Sequence, residues 1–397
     1  MKLKLLTILA ILSLRLDSQA CSMFKITENG RTIVGNNEDY FNPFTKIWFT
    51  PGLNGQYGVV NMGFGNNFPQ GAMNEAGLVF DGFAMDYLAV NDTAGKLMIP
   101  NTEYIPYIMH NFSTVREVQA YFRTINLSHL ETSMYLFVDK SGEYLIVEGD
   151  SLIIGNEPTF MLSNFYPSQT TNEDAVPIPF YQSGRAFVAN NTPHADFHTC
   201  SSVMSNLHQD ITQYSSIYDL SSGNFTIHFF HDYENKVEFN LKEELAKGKH
   251  EFIIPELFSK ENEGYKYYHE YMFDADALVK RIGDKWEFVK SQFDAQTLEL
   301  IAAPEVERFL NSAGYDWLRR DQLNGAITIF RFNTVLFPKA PNTFDSLAEA
   351  YMQNKQYSLS IENYKKAIRL NKVDPAARDA SKEMLKKVKK LKREDGK

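Results

Sequence analysis

Two cysteines in 397 residues are too few for a disulfide framework, so the chain must hold together by packing and hydrogen bonding. Long apolar runs are also missing. The longest, Leu5 to Leu14, is interrupted by Thr7 and Ser13, and nothing approaches the roughly 18 apolar residues that suggest a membrane-crossing helix. Positive charge is in the minority, with 40 Lys and Arg against 49 Asp and Glu and a formal charge of -9, which argues against nucleic acid as a partner. His194, His198, His208, His228 and His231 show no metal-ligand spacing. Neither a metal nor an organic cofactor is expected. What the chain does have is ample core material, 44% hydrophobic and 14% aromatic residues, over a length that suits two domains.

The start of the chain reads as an export leader. Lys2 and Lys4 precede the apolar run, and Ser18-Gln19-Ala20 offers small residues at the positions a signal peptidase reads. The expectation is a signal peptide over 1–20 and a periplasmic or secreted mature protein. A cut after Ala20 would leave Cys21 first, its thiol beside its own free α-amine. A thiol of pKa about 8.5 and an amine of about 7.7 to 8.0 can exchange a proton near neutrality, as an activated nucleophile requires. Lipid modification of Cys21 is the rival route to the same first residue. However, Ser18 stands where a lipoprotein signal usually has a large aliphatic side chain. Cys200 reads as a buried packing residue.

Ser22 to Thr27 and Arg31 to Gly35 are strand-like runs around Asn29-Gly30, the strongest short hairpin signal because both central residues of a type I′ turn need positive φ. Opposed residues then sum to 59, which sets Cys21 against Glu38 with Asp39 next along. A bulge would exchange which of the two carboxylates points inward. Alternating runs at Tyr135 to Val138, Tyr144 to Val147 and Thr226 to Phe230 read as further antiparallel strands.

Cys21, Gly35-Asn36-Asn37-Glu38-Asp39-Tyr40, Thr50-Pro51-Gly52, Met73-Asn74-Glu75-Ala76-Gly77-Leu78 and Phe160-Met161-Leu162-Ser163-Asn164 occur in an order and spacing that resembles the choloylglycine hydrolase group of N-terminal-nucleophile hydrolases. That group includes bile salt hydrolases and penicillin V acylases. The resemblance implies an α+β fold, an αββα four-layer sandwich over 21–258, and cleavage of linear amide C–N bonds in small N-acyl amides through a thioester. It also implies roles: Cys21 as nucleophile, Asp39 as the acid orienting its amine, Asn164 as an oxyanion donor and, by a looser match, Arg185 in the active site. Two departures stand out. Asn36 replaces the arginine of bile salt hydrolases, and Ala84 falls where that branch has a second oxyanion asparagine, whose role would pass to a backbone amide. Both favour an amidase or acyltransferase-like enzyme over a bile salt enzyme.

Met23, Asn36, Trp48, Phe64, Phe83 and Phe165 lie near these segments and are the expected lining of an acyl pocket. Glu75 and Asp81 could be paired as glycosidase acids, though nothing in the sequence positions them. Residues 259–303 read as a helical connector, with Leu278, Ile282, Trp286 and Phe293 at helical intervals. Beyond it, Gly314, Trp317, Ala326 and Phe330 recur 34 residues later as Ala348, Tyr351, Ser360 and Tyr364, a period that resembles tetratricopeptide repeats. The region 304–397 is therefore expected to be helical and open to a protein partner. A second reading follows: a lipid-anchored interaction protein whose hydrolase-like part is an inert scaffold.

Overall fold

The computed structural model describes residues 21–40, 43–64, 68–268 and 304–395. The expected leader 1–20 and the greater part of the expected connector lie outside the described residues. The described residues up to Tyr268 form one compact unit, and the helices from Pro304 belong to a second. The first unit contains β1 (Ser22–Glu28), β2 (Arg31–Asp39), β3 (Thr45–Thr50), β4 (Val59–Phe64), β5 (Pro69–Asn74), β6 (Val79–Ala84), β7 (Leu97–Met98), α1 (Asn101–Asn111), α2 (Val115–Phe122) and β8 (Ile125–Asn126). It continues with β9 (Ser133–Val138), β10 (Tyr144–Glu148), β11 (Ser151–Gly155), β12 (Thr159–Ser163), α3 (Pro179–Asn190), α4 (Phe197–Leu207), β13 (Thr212–Asp219), β14 (Asn224–Phe229), β15 (Asp232–Asn240), α5 (Leu241–Ala246) and β16 (His250–Ile253).

Strand pairing makes two large sheets, one in the order β12-β1-β2-β13-β14-β15 and the other β11-β10-β9-β6-β5-β4-β3-β16. Every pairing in both is antiparallel. Side chains alternate across a strand, so each sheet has two faces to bury. Met23, Val34, Tyr214 and Phe229 from the first sheet share one apolar cluster with Ile47, Met62, Val79 and Leu136 from the second. That cluster is the layer between the sheets. The opposite face of the eight-stranded sheet, through Ala72, Phe80 and Phe137, packs on Tyr104, Ile105 and Ile108 of α1 and Val118 and Phe122 of α2. The outer face of the six-stranded sheet, through Phe24, Ile26, Ile33 and Ile217, packs on Tyr181 of α3 and on Cys200, Val203 and Met204 of α4. The result is an α+β unit with four layers, helix, sheet, sheet, helix.

The first hairpin forms in the expected register. Asn29 and Gly30 have φ of 52° and 77°, and pairing runs from Glu28↔Arg31 to Ser22↔Asn37. Cys200 is buried in the outer cluster, so close to β2 that a Cβ on Gly35 would lie 2.7 Å from its sulfur. The first unit also runs past the expected boundary at 258. Phe44 stacks on Tyr268 at 6.3 Å and Phe230 lies 5.8 Å from Tyr267, so the opening of the expected connector covers apolar rings of this unit.

The second unit contains α6 (Pro304–Arg319), α7 (Leu323–Leu336), α8 (Pro341–Gln353), α9 (Tyr357–Leu370) and α10 (Pro375–Asp395), each packed on the next. The recurring positions lie at the helix contacts. A Cβ on Gly314 would meet the Phe330 ring at 2.4 Å, and Ser360 donates to the Ala348 carbonyl at 2.7 Å. Ala326, Phe330, Ala348, Tyr351 and Tyr364 are buried.

Candidate active site

The site grows from the sheet order β12-β1-β2. β1 pairs with β2 through Ser22↔Asn37 and with β12 through Ser22↔Ser163. One residue further, the same two registers set Cys21 between Glu38 on one side and Asn164 on the other. The Ser163 hydroxyl donates to the Cys21 carbonyl at 3.0 Å, which fixes the end of the strand. Cys21 is 7% exposed and belongs, with Met23, to the layer between the sheets.

Alternation along β2 sorts its polar run. Asn37 donates to the Met204 carbonyl on α4 at 3.0 Å and accepts from Ser215 at 2.7 Å, so it faces the helix side. Asn36 and Glu38 therefore face the inter-sheet layer. The Cys21 thiol donates to Glu38 Oε1 at 3.8 Å. The pairing Thr212↔Asp39 followed by Tyr214↔Glu38 skips Gln213, so a bulge does occur, on β13. The Asp39 carboxylate accepts from Gln209 Nε2 at 2.7 Å and from the Thr212 hydroxyl. Its backbone N–H, not its side chain, is the Asp39 group bonded to the thiol. On β6, Val79 and Phe83 are in the inter-sheet cluster, and alternation adds Asp81 to that face. Asp81 accepts from the Gly82 N–H at 2.9 Å and from Asn36, whose carbonyl oxygen accepts from the Ser216 hydroxyl.

Three buried carboxylates thus bear on one thiol. Desolvation pushes the Cys21 thiol well up, and the charges of Glu38, Asp39 and Asp81 push it further. Glu38 is held well above the usual carboxylate range by burial first, then by Asp81 and Asp39. Asp81 is raised mainly by burial, against the bonds from Gly82 and Asn36. Burial pushes Asp39 up to about 7, against the donors Thr212 and Gln209. No cation figures among the influences on Cys21 from the described residues.

A family profile matches residues 32–158. It is that of the linear amide C-N hydrolases, choloylglycine hydrolase family. The match takes in Asn36, Glu38, Asp39 and Asp81 and supports an amide hydrolase; Cys21 and Asn164 fall outside it. Two solved structures of conjugated bile acid hydrolase from Clostridium perfringens, both variants, are similar at 19% identity with a TM-score of 0.45. One covers 58% of this chain and 96% of its own, the other 59% and 95%. Penicillin V acylase from Agrobacterium tumefaciens is similar at 17% identity and a TM-score of 0.42, over 53% of this chain and 82% of its own. No curated protein matches the chain.

The remaining expected residues separate by face. The Asn164 side chain donates to the Ala84 carbonyl at 2.5 Å, which brings together the two positions singled out for oxyanion binding. Phe83 is buried in the inter-sheet cluster. Phe64 shares the parity of Val60 and Met62 on β4 and packs against the Tyr40 ring, tilted, at 4.8 Å. Phe165 packs at the margin of both the inner and outer clusters, 5.0 Å from the Tyr181 ring. Trp48 lies elsewhere: Ile47 and Phe49 on either side of it are in the inter-sheet core, so alternation turns Trp48 to the other face of the sheet. Arg185 is on α3, where its guanidinium pairs with Asp174 at 2.7 Å and Glu173 at 3.7 Å. It is not among the groups bearing on Cys21. Glu75 accepts from the Gly58 N–H at 2.6 Å, which pins a loop, and makes no pair with Asp81. Thr212, Tyr214 and Ser216 were not singled out in the sequence, because β13 is polar at consecutive positions from Thr212 to Ser216 and carries a bulge, so no alternation marks which of them face Cys21.

Proposed function

We propose that the chain is an exported cysteine N-terminal-nucleophile hydrolase of N-acyl amides. The observation that carries this reading is the placement of Cys21 at the end of β1, between Glu38 and Asn164 and beside buried carboxylates. While Cys21 carries a peptide nitrogen, its thiol is held protonated by burial and negative neighbours. Cleavage after Ala20 would convert that nitrogen to an amine, adding a base and, when protonated, the cation the cluster lacks. The thiolate attacks the amide carbonyl, and the oxyanion forms near the Asn164 amide and neighbouring backbone N–H groups. The amine then leaves, and water hydrolyses the thioester. The αββα layering supports assignment to the N-terminal-nucleophile class, and Asp39 anchors the β2 end that faces the nucleophile.

Phe83, Phe64 and Met23 are buried apolar side chains available to line an acyl site, and Asn36 is the residue that the resemblance sets where bile salt hydrolases carry an arginine. Phenoxyacetyl and fatty-acyl amides are therefore expected ahead of glycine or taurine conjugates of bile acids. A panel assay detecting released amine tests this, and a strong preference for the conjugates would contradict it. The same acyl-enzyme could pass its acyl group to another amine instead of water. The helical unit, with its recurring small and aromatic contacts, supports a tetratricopeptide-like partner-binding role alongside catalysis. Diacylglycerol on Cys21 would remove base and nucleophile together and leave that role as the main one.

A further inference from the structure

We propose that Glu38 is a second catalytic base, the group that carries the Cys21 thiol proton, and that Asp81 is the positioning residue that tunes it. This rests on the nucleophile reading above and adds to it a proton carrier distinct from the α-amine.

The geometry singles out Glu38 among the three carboxylates. Its Oε1 is the acceptor of the thiol, both groups are buried, and the hairpin register holds them opposite one another. Asp39 cannot serve in this way, because its oxygens are occupied by Thr212 and Gln209. The other Glu38 oxygen, Oε2, has no hydrogen-bond partner among the described residues, nor do Asp81 Oδ2 and the Tyr214 hydroxyl. Leaving a buried polar atom unpaired is costly, and native structures keep few such atoms without a reason. Here three occur on groups that act on one another electrostatically at a reactive sulfur. The groups facing Glu38 are Cys21 from β1, Asp39 on its own strand, Asp81 from β6, and Tyr214 and Tyr218 from β13. Burial first, then the charges of Asp81 and Asp39, hold Glu38 well above the ordinary carboxylate range, against the bond from the Cys21 thiol, which is the direction a carboxyl that both accepts and returns a proton requires.

The step balances as follows. The Glu38 carboxylate takes the thiol proton as sulfur bonds to the acyl carbon, and the carbonyl pair moves to oxygen. When the intermediate collapses, the C–N bond breaks and the Glu38 carboxyl gives its proton to the departing nitrogen. Water then loses a proton to Glu38 as its oxygen bonds to the thioester carbon. The C–S bond breaks and the thiolate recovers the proton, so amide and water become acid and amine with Glu38 unchanged.

The test uses the mature full-length protein with two separate readouts: amide turnover across pH, and the rate at which iodoacetamide alkylates Cys21 across pH. Glu38→Gln keeps the size of the side chain and removes its charge. Turnover should fall by about 100-fold or more with KM changed little, the loss expected for a general base. Alkylation near pH 7 should become faster, because the thiol loses a negative neighbour that holds it protonated. A merely structural role would not move the two readouts in opposite directions. Turnover within about threefold of the parent, a margin far below a base's usual contribution, or turnover and alkylation falling together, would overturn the proposal. Asp81→Asn leaves Glu38 in place and removes a charge that raises it, so the acidic limb of the kcat/KM profile should move to lower pH. An unmoved limb would overturn the role of Asp81. A parent protein without turnover would count against the functional reading alone; unchanged alkylation in Glu38→Gln would still count against the coupling of Glu38 to the thiol.

Discussion

Replacing the Cys21 sulfur tests the chemistry with the least disturbance, because the side chain is small and already packed between the sheets. Cys21→Ala should abolish amide cleavage while the unfolding midpoint stays near that of the parent, and Cys21→Ser should retain only a trace. Near-normal turnover by the alanine variant would exclude Cys21 as nucleophile. Asp39 gives a prediction in pH. Its folded pKa, raised to about 7 by burial, exceeds the unfolded value of about 3.9. Its contribution to stability is therefore fully present below the unfolded value and is lost as pH rises through the folded one, at up to about 1.4 kcal/mol per pH unit. Urea midpoints of the parent should fall relative to those of Asp39→Asn between about pH 4.5 and about pH 7.5; parallel curves would contradict the raised value. At this scale the sequence revealed that a carboxylate faces the thiol, since a two-residue turn fixes the register. It could not reveal which one, because that depends on side-chain alternation and on the bulge at Gln213. Asp81 was visible only as an acid without a place, since its approach to Cys21 requires the second sheet to be packed on the first.

Two glycines in the first hairpin separate backbone from packing effects. Gly30 has φ of 77° with nothing within 4 Å of an added Cβ, so Gly30→Ala should cost about 1 kcal/mol, all of it conformational. Gly35 lies in the middle of β2, where a Cβ would be 2.7 Å from the Cys200 sulfur and 2.8 Å from Met204 Cγ. Gly35→Ala should therefore cost about 1–3 kcal/mol by forcing α4 off the sheet, and Cys200→Ala in the same chain should recover part of it. Denaturant unfolding of the single and double variants checks both values, and additive effects of Gly35→Ala and Cys200→Ala would contradict the contact. The strands β9, β10 and β14 were legible as short apolar runs, although β9 and β10 bury both faces, Leu136 and Ile146 between the sheets and Phe137 and Leu145 against the helices. Trp48 was misplaced for the complementary reason: proximity in sequence to the motifs says nothing about face, and its neighbours Ile47 and Phe49 take the inner one. Arg185 was misjudged from a motif match alone, and its pairing with Glu173 and Asp174 shows a local ion pair on the helix layer.

The division of the chain predicts where it can be cut. A fragment 21–268 should be soluble and as active per molecule as the full mature chain, whereas 21–258 should unfold at lower temperature because Phe44 and Phe230 lose Tyr268 and Tyr267. Equal midpoints for the two fragments would show that the added segment contributes nothing. The change of pattern after Pro255 was legible in the sequence; the contacts of Tyr267 and Tyr268 were not, because these aromatics pack on rings distant in sequence. The account as a whole depends on one atom, the Cys21 sulfur. The most direct measurement is mass analysis of the mature chain quenched during turnover of an N-acyl amide. The expected result is a chain beginning at Cys21 with a free α-amine and the acyl group on its sulfur, released by hydroxylamine. An acyl group on any other residue, or a Cys21 carrying diacylglycerol in most of the molecules, would contradict the account.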